Sequence, residues 1–250
     1  MKNRNFIFIG LAALAVAVIA GGLWAYDAVL GETEAPSGQM TAIPIAASTS
    51  APAAQNTLAV SETQPTGAAA QNSVAVVFQI ASDQSEASFS IYEELGGQPK
   101  TVVGTTDQVA GEIALNLQDL SQTQIGVIQI NARTFATDND RRNNAIRNFF
   151  LNTDQYELIT FTPTAITGLS GAAQSGQPFT FQIAGDLTVR AVTQPVVFEV
   201  TATGESATRL TGTATATVKR SDFNLTIPSV PNVANVGEEV TLEIKFVAEA

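Results

Sequence analysis

From residue 74 to the C-terminus, apolar and polar residues alternate in a series of short runs. A period of two places every second side chain on the same face of a β-strand. Glycine and proline residues separate many of the runs, as is typical of turns. The pattern predicts an all-β sandwich or barrel built from many short strands. The runs cover residues 74–80, 87–92, 109–117, 126–131, 179–183, 211–218, 223–227 and 240–246.

The clearest pair of strands lies within residues 185–200, which read Gly-Asp-Leu-Thr-Val-Arg-Ala-Val-Thr-Gln-Pro-Val-Val-Phe-Glu-Val. Apolar positions alternate with polar ones on both sides of a single connection, which predicts two strands joined by a turn with Pro195 at its exit. The sequence leaves two roles open for Arg190 and Asp186. They contact a ligand, or they stabilise the hairpin by pairing with each other.

Residues 137–151 carry a different pattern, which predicts one short helix over residues 138–150. Thr137 or Asp138 is expected to cap its first N–H groups. Its aromatic end is expected to pack against a barrel mouth, which would bring the arginines of the helix near an opening. Those arginines either bind an anionic or polar head group or pair with nearby aspartates on a solvated surface.

These segments, in this order, resemble the YceI-like family. The resemblance consists of the arginine-rich helix with its aromatic end, the strand Tyr-Glu-Leu-Ile-Thr-Phe at 156–161, the hairpin at 185–200 and Lys-Arg-Ser-Asp-Phe at 219–223. It extends from about residue 74 to the C-terminus. The resemblance implies an extended antiparallel β-barrel, similar to lipocalins, that holds a long isoprenoid or other lipid chain in its interior.

The resemblance also suggests which residues would contact the lipid. Inward apolar side chains can line a tunnel or simply fill a core, and the sequence does not separate these roles. Small residues on inward rows would leave space for a chain, or they would relieve crowding at bends. The predicted tunnel lining is Phe78, Phe89, Ile113, Leu115, Ile128, Ile130, Phe149, Phe150, Phe161, Phe179, Phe181, Leu187 and Phe198. The predicted head-group contacts are Arg141, Arg142, Arg147 and Arg190.

Composition excludes several classes of function. The chain has 250 residues, a formal net charge of −11, and neither histidine nor cysteine. An acidic chain with few basic residues argues against a nucleic-acid partner. The absence of histidine removes Ser-His-Asp catalysis and the commonest zinc ligand. We therefore predict a protein that is not an enzyme and has no metal or other cofactor, apart from a bound lipid such as a polyisoprenoid or quinone.

The N-terminal region has a separate organisation. Lys2 and Arg4 precede an uncharged apolar run over residues 6–26, which predicts a membrane anchor within residues 1–30 with the following domain outside the cytoplasm. The alternative is a cleaved signal peptide, and both readings export the domain. Residues 31–73 are rich in Ala, Ser, Thr and Pro, which predicts a flexible linker. The predicted barrel domain then spans residues 74–250.

The sequence therefore predicts an exported lipid-binding protein that holds a long apolar chain for storage or transport. The alternative is a non-enzymatic structural or interaction module with a filled core, presented outside the cytoplasm on a stalk. The expected partners are an apolar lipid, the membrane through the N-terminal segment, and a second copy of the chain in a homodimer.

Overall fold

The computed structural model describes residues 33–45, 75–227 and 231–250. The predicted membrane segment and most of the predicted linker lie outside the described residues. Within the described part of the chain, no helix combines the length and the hydrophobicity needed to cross a membrane.

The described residues form a single antiparallel sheet of thirteen strands. Short 3₁₀ turns and one short helical segment connect some of the strands. The strands are β1 Val76–Ile80, β2 Glu86–Leu95, β3 Gln98–Thr106, β4 Val109–Ala110, β5 Glu112–Leu115, β6 Gln124–Ile125, β7 Ile128–Asn131, β8 Leu158–Thr167, β9 Pro178–Val189, β10 Val192–Ser206, β11 Arg209–Lys219, β12 Val233–Ala234 and β13 Glu239–Glu249.

The order of the strands shows that the sheet curls round on itself. The hydrogen-bonded order is β4-β7-β8-β9-β10-β11-β13-β1-β5-β6. Only Gly111 separates β4, at one end of this order, from β5, the last strand but one at the other end, so the chain itself links the two edges. The β2–β3 hairpin extends the wall beside β13. The predicted all-β antiparallel fold with one short helix is confirmed, and the sheet curls as a half-barrel where an extended β-barrel was expected.

Alternation along the long strands places the hydrophobic core inside the curled sheet. On β9, the buried positions are Phe181, Ile183, Gly185, Leu187 and Val189, while residues 182 and 186 between them are exposed. The neighbouring strand β10, which is hydrogen-bonded to β9, repeats this alternation in register with it. Side chains on one face of each strand thereby share an interior that is shielded from water.

The predicted hairpin exists, but its turn differs from the prediction. The connection is Arg190–Ala191, and Arg190 adopts a left-handed φ of 58°. Pro195 is not at the turn exit, because it lies inside β10 and pairs with Asp186. The β10–β11 pairing begins only at Glu199. Pro195 therefore sits where β10 has a free side, which is where a strand tolerates a residue without an N–H.

The helical segment is shorter and less regular than predicted. Helix α1 spans Asp140–Ala145 and continues into a π-helical turn, Ile146–Phe150. The predicted caps were wrong, because the Asn139 side chain accepts the Arg142 N–H at 3.1 Å. Asn139 has the extended backbone that an N-cap requires, with φ −147° and ψ 117°.

Two further strand predictions need correction. Residues 223–227 do not form a strand, because the buried Phe223 ends a 3₁₀ turn and Asn224 has a φ of 55°. Strand β3 was missed, because its sequence lacks a clear apolar alternation. It is joined to β2 by Gly96 and Gly97, which both have positive φ, as the tight turns that fit twisted hairpins require.

Residues 33–45, here called the N-terminal strap, contact strand β5 and the connection between β7 and β8. The strap falls inside the predicted linker, residues 31–73. It nevertheless makes hydrogen bonds to residues more than sixty positions further along the chain, including Ile45 N–H to Glu112. Part of the segment expected to be a flexible linker is thus in contact with the domain, and the domain boundary at residue 74 stays a prediction.

Candidate functional site

A small apolar cavity lies inside the curled sheet. Its volume is about 60 Å³. Thr123 is the one polar residue in its lining, and the Thr123 hydroxyl donates to the Leu120 carbonyl at 2.7 Å. The walls therefore present no unpaired polar group to a ligand, and the cavity is suited to hydrocarbon. The lining is Ile80, Ile113, Leu115, Thr123, Ile125, Ile128, Phe161, Leu169, Phe179, Phe181, Ile183, Phe198, Val200, Ala202, Leu210, Ala214, Ile244 and Phe246.

The cavity is much smaller than the tunnel that the family resemblance implied. An engineered apolar cavity of about 150 Å³ is large enough to hold benzene, whereas this one measures about 60 Å³. A long lipid chain fits only if lining side chains move apart. The expectation of a preformed long channel is therefore corrected, because the structure shows a small apolar cavity in its place.

Aromatic rings occupy the space that small residues were expected to leave open. A Cβ atom added to Gly212 would lie 2.6 Å from Cζ of Phe246, and one added to Gly185 would lie 2.6 Å from Cζ of Phe161. The Phe89 ring covers Gly104 in the same way. These glycines relieve crowding beneath aromatic rings, which explains why the interior is nearly filled.

The cavity brings together part of the predicted tunnel lining. Seven predicted residues border it, and their contact with a ligand stays a prediction: Ile113, Leu115, Ile128, Phe161, Phe179, Phe181 and Phe198. The others lie elsewhere. Phe78 and Leu187 are buried in the surrounding core, and Ile130 packs against that core. The Phe89 ring meets Phe135 edge-on at 5.3 Å. Phe149 and Phe150 belong to the half-buried π-helical turn.

Sequence reasoning missed several residues that border the cavity. Alternation alone could have identified some of them, because Ile183 follows Phe181 by two positions and Val200 follows Phe198 by two. Leu169 and Thr123 lie in connections between strands, where no period marks an inward position. The missed residues are Ile80, Thr123, Ile125, Leu169, Ile183, Val200, Ala202, Leu210, Ala214, Ile244 and Phe246.

The cavity lies toward the end of the barrel where β8 leads into β9. Leu169, in that connection, is part of the lining. The connection closes this end through two backbone hydrogen bonds, from Leu120 N–H to the Gly171 carbonyl at 2.7 Å and from Ala173 N–H to the Leu117 carbonyl at 2.8 Å. Helix α1 lies at the opposite end, because it precedes the start of β8. The expected role of the helix at a ligand opening is therefore unsupported.

The four arginines predicted to contact a head group are absent from the cavity lining. Arg142 pairs with the buried Glu93 at 2.8 Å and with Asp138 at 2.5 Å, so its charge has acidic partners within the protein, and its contact with a head group stays a prediction. The other three differ in their surroundings. Arg141 is exposed, Arg147 donates to Asn144 at 2.7 Å, and the Arg190 guanidinium lies 6.0 Å from the Tyr156 ring centroid.

Hydrogen bonds and charge determine the state of the acidic groups outside the cavity. Hydrogen bonds from Lys100, opposed by partial desolvation and reinforced by the charges of Arg142 and Lys100, lower the pKa of Asp138. Hydrogen bonds from Ser221 lower the pKa of Glu238. Among the residues that the structure describes, no group of three His, Cys, Asp or Glu side chains is placed to hold a metal ion.

A curled antiparallel sheet that encloses an apolar interior is a barrel-like architecture. The family profile described as a YceI-like domain matches residues 78–248. This match covers more than half of the chain, and the chain therefore belongs to the YceI-like domain family.

Solved structures support the same fold. A polyisoprenoid binding domain from Saccharophagus degradans, described as implicated in plant cell wall breakdown, superposes with a TM-score of 0.55 at 16% identity, covering 70% of this chain and 99% of that one. BcnA from Burkholderia cenocepacia superposes with a TM-score of 0.52 at 19% identity, covering 67% and 98%. No protein of curated function matches the sequence.

Proposed function

We propose that this protein binds a long apolar chain inside its curled sheet and holds it for storage or transport. The observation that carries the proposal is the cavity, whose walls are apolar and leave no polar group unpaired. Each methylene group moved from water into such a site gains about 0.8 kcal/mol. A lipid with a long hydrocarbon tail therefore gains most from this interior.

The ligand class that we propose is a polyisoprenoid, an isoprenoid quinone or a similar lipid. Membership of the YceI-like family supports this class, and so does the description of the Saccharophagus degradans domain as polyisoprenoid binding. The cavity of about 60 Å³ must enlarge to receive such a chain. Phe179 and Phe181 stack with ring centroids 6.0 Å apart, and their rotation would lengthen the cavity.

We also propose that the domain acts outside the cytoplasm, close to a membrane. The positively charged residues Lys2 and Arg4 before the apolar run of residues 6–26 support this location. A membrane source of lipid would then lie near the domain.

Organic extraction of the purified full-length protein, followed by mass spectrometry, tests the proposal. We expect an isoprenoid lipid in the extract of the wild-type protein. Ala214→Leu should abolish it, because Ala214 borders the cavity, whereas Thr213→Leu on the outer face of the same strand should retain it. Empty wild-type preparations that also take up no added isoprenoid would refute lipid binding.

One observation favours a second candidate, a non-enzymatic interaction module with a filled core. Phenylalanine rings already occupy the space above Gly104, Gly185 and Gly212, and little empty volume remains. This candidate predicts that Ala214→Leu and Thr213→Leu both leave the extract free of lipid. The same experiment therefore separates the two functions.

A further inference from the structure

The N-terminal strap is attached to the domain at two places, and the first is centred on Arg133. Arg133 lies in the 3₁₀ turn after β7 and is only 8% exposed. Its guanidinium donates to the Ala35 carbonyl at 3.0 Å and to the Glu34 carboxylate at 3.1 Å. Its Nε donates to the Thr153 carbonyl at 3.0 Å. A buried cation is thus partly neutralised and hydrogen-bonded by the strap.

Glu157 reinforces this first attachment. The Ser37 backbone N–H and hydroxyl each donate to one Glu157 carboxylate oxygen at 2.6 Å. Asn131 donates to the same carboxylate at 2.9 Å, and Arg133 lies 3.3 Å away. Partial burial alone would raise the pKa of Glu157, but the hydrogen bonds from Ser37 and Asn131 and the charge of Arg133 outweigh it and lower the pKa. Glu157 is therefore ionised when it accepts the hydrogen bonds from the strap.

The second attachment is at the C-terminal end of the strap. Glu112 is only 7% exposed, and it accepts the Ile45 N–H at 2.8 Å. Its neighbours on β5, Ile113 and Leu115, border the cavity, with Ile113 directly adjacent to Glu112. Alternation along β5 then places the Glu112 side chain on the outer face of the wall. Ile45 also packs over Gly126, where an added Cβ atom would lie 3.1 Å from its Cγ1.

The sheet beneath this second attachment is interrupted between β4 and β5 and between β6 and β7. We call this region of four short strands the seam. Gly111 separates β4 from β5, and Gly126 and Val127 separate β6 from β7, so the pairing between these strands is short on both sides of the break. The inner face of the seam borders the cavity through Ile113, Ile125 and Ile128. The strap therefore lies on the outside of the same wall that encloses the cavity on the inside.

The contacts of the strap are of a kind that can be released. The strap is held mainly by hydrogen bonds and ion pairs, and most of its own residues are exposed, with Glu34 keeping 72% of its side chain in solvent. Each hydrogen bond contributes only about 0.5–1.5 kcal/mol net, or about 1.5–3 kcal/mol where one partner is charged, because water can replace the strap. By contrast, the long strand pairs β9–β10 and β11–β13 are joined along almost their whole length. The strap and the seam therefore form the part of the wall that opens most easily.

We propose that the N-terminal strap is a releasable clasp that holds the seam closed, and that its release opens the cavity to an apolar chain. This inference rests on the proposed lipid-binding function. When the strap leaves, Glu112 and Arg133 lose partners and draw water to the outer face of the seam. The loss of these contacts loosens the wall in front of Ile125 and Ile128.

A reversible cross-link tests the clasp in the full-length protein. The chain contains no native cysteine, so Ile45→Cys combined with Gly126→Cys would introduce one thiol pair. The 3.1 Å approach of Ile45 to the Gly126 position places the two Cβ atoms within reach of a disulfide. Uptake of cis-parinaric acid, which fluoresces in apolar sites, would be followed in the oxidised and the reduced protein.

We expect the oxidised protein to take up the probe at least tenfold more slowly than the same protein after reduction. The single variant Ile45→Cys is the control, because it carries one thiol and cannot form a disulfide within the chain, so oxidation should leave its uptake rate unchanged. Equal uptake rates of the oxidised and reduced clasp variant would overturn the proposal.

A second measurement separates failure of the clasp from failure of lipid binding. If the wild-type protein binds neither the probe nor an added isoprenoid, lipid binding itself is refuted, and the gating role of the strap falls with it. Thiol labelling of Ile45→Cys alone then tests whether the strap detaches. Arg133→Met should accelerate labelling at least tenfold, and an unchanged labelling rate would show that Arg133 does not hold the strap.

Discussion

The Phe246 ring lies directly over its cross-strand partner Gly212. The two residues pair between β11 and β13, and a Cβ atom on Gly212 would approach Cζ of Phe246 and the Thr201 carbonyl oxygen to 2.6 Å each. The glycine therefore makes room for an inward ring, and the ring supplies the packing that the glycine lacks. Because Phe246 borders the cavity, this pair helps to limit how much of the interior remains empty.

Replacing Gly212 should destabilise the protein. Gly212→Ala would force the Phe246 ring or the Thr201 carbonyl to move, and overpacking of this kind costs about 1–3 kcal/mol. Urea denaturation would measure the loss in free energy of unfolding. Gly204→Ala is the matched control, because its added Cβ meets only Leu117 at an ordinary 3.5 Å. Equal losses in both variants would contradict the packing argument.

Removing the Arg133 side-chain charge should cost far more than removing that of an exposed arginine. Arg133→Met leaves the half-buried Glu157 without a cation, and breaking a buried pair costs about 3–5 kcal/mol. Arg209→Met breaks the more exposed pairs with Glu205 and Glu249, whose contribution is about 0–1 kcal/mol. Thermal or urea unfolding of both variants gives the comparison, and similar losses would show that Arg133 behaves as a surface charge.

Stability should decline in acid partly because of Glu157. Its pKa is lowered in the folded protein, where Ser37, Asn131 and Arg133 face the carboxylate. A lowered pKa means that the contribution is complete above the unfolded pKa of about 4.3 and is lost as the pH falls through the folded value. Glu157→Gln should flatten the pH dependence of the urea midpoint between pH 5 and pH 3. An unchanged slope would contradict the assignment.

Enlarging the cavity should create a site for a small apolar molecule. Phe181 borders the cavity and is 8% exposed, so Phe181→Ala should cost about 3–5 kcal/mol and leave empty space. Benzene should then raise the melting temperature of this variant, as mass action requires for a ligand that binds only the folded state. Thr180→Ala, at the exposed neighbouring position, should show neither effect. A variant that benzene fails to stabilise would indicate that the space had collapsed.

The alternation of apolar and polar residues determined most of the strands. Strands β9, β10, β11 and β13 follow it over long stretches, because a period of two puts one face in the core whatever the partner strand is. The order of the sequence motifs along the chain also indicated the family. The sequence did not predict the position of Pro195, because that position depends on the neighbouring strands. Pro195 is tolerated inside β10 only because β10 has no partner on one side there.

The size of the interior and the place of the N-terminal strap were decided by the tertiary structure alone. Whether an inward glycine leaves a void depends on which ring faces it from another strand, as Phe246 faces Gly212. The ion pair between Glu34 and Arg133 joins residues that are 99 positions apart. Alternation reports only which face a residue occupies, because it is a local property of the chain. Contacts between distant segments depend on how the whole sheet curls, and no local pattern records them.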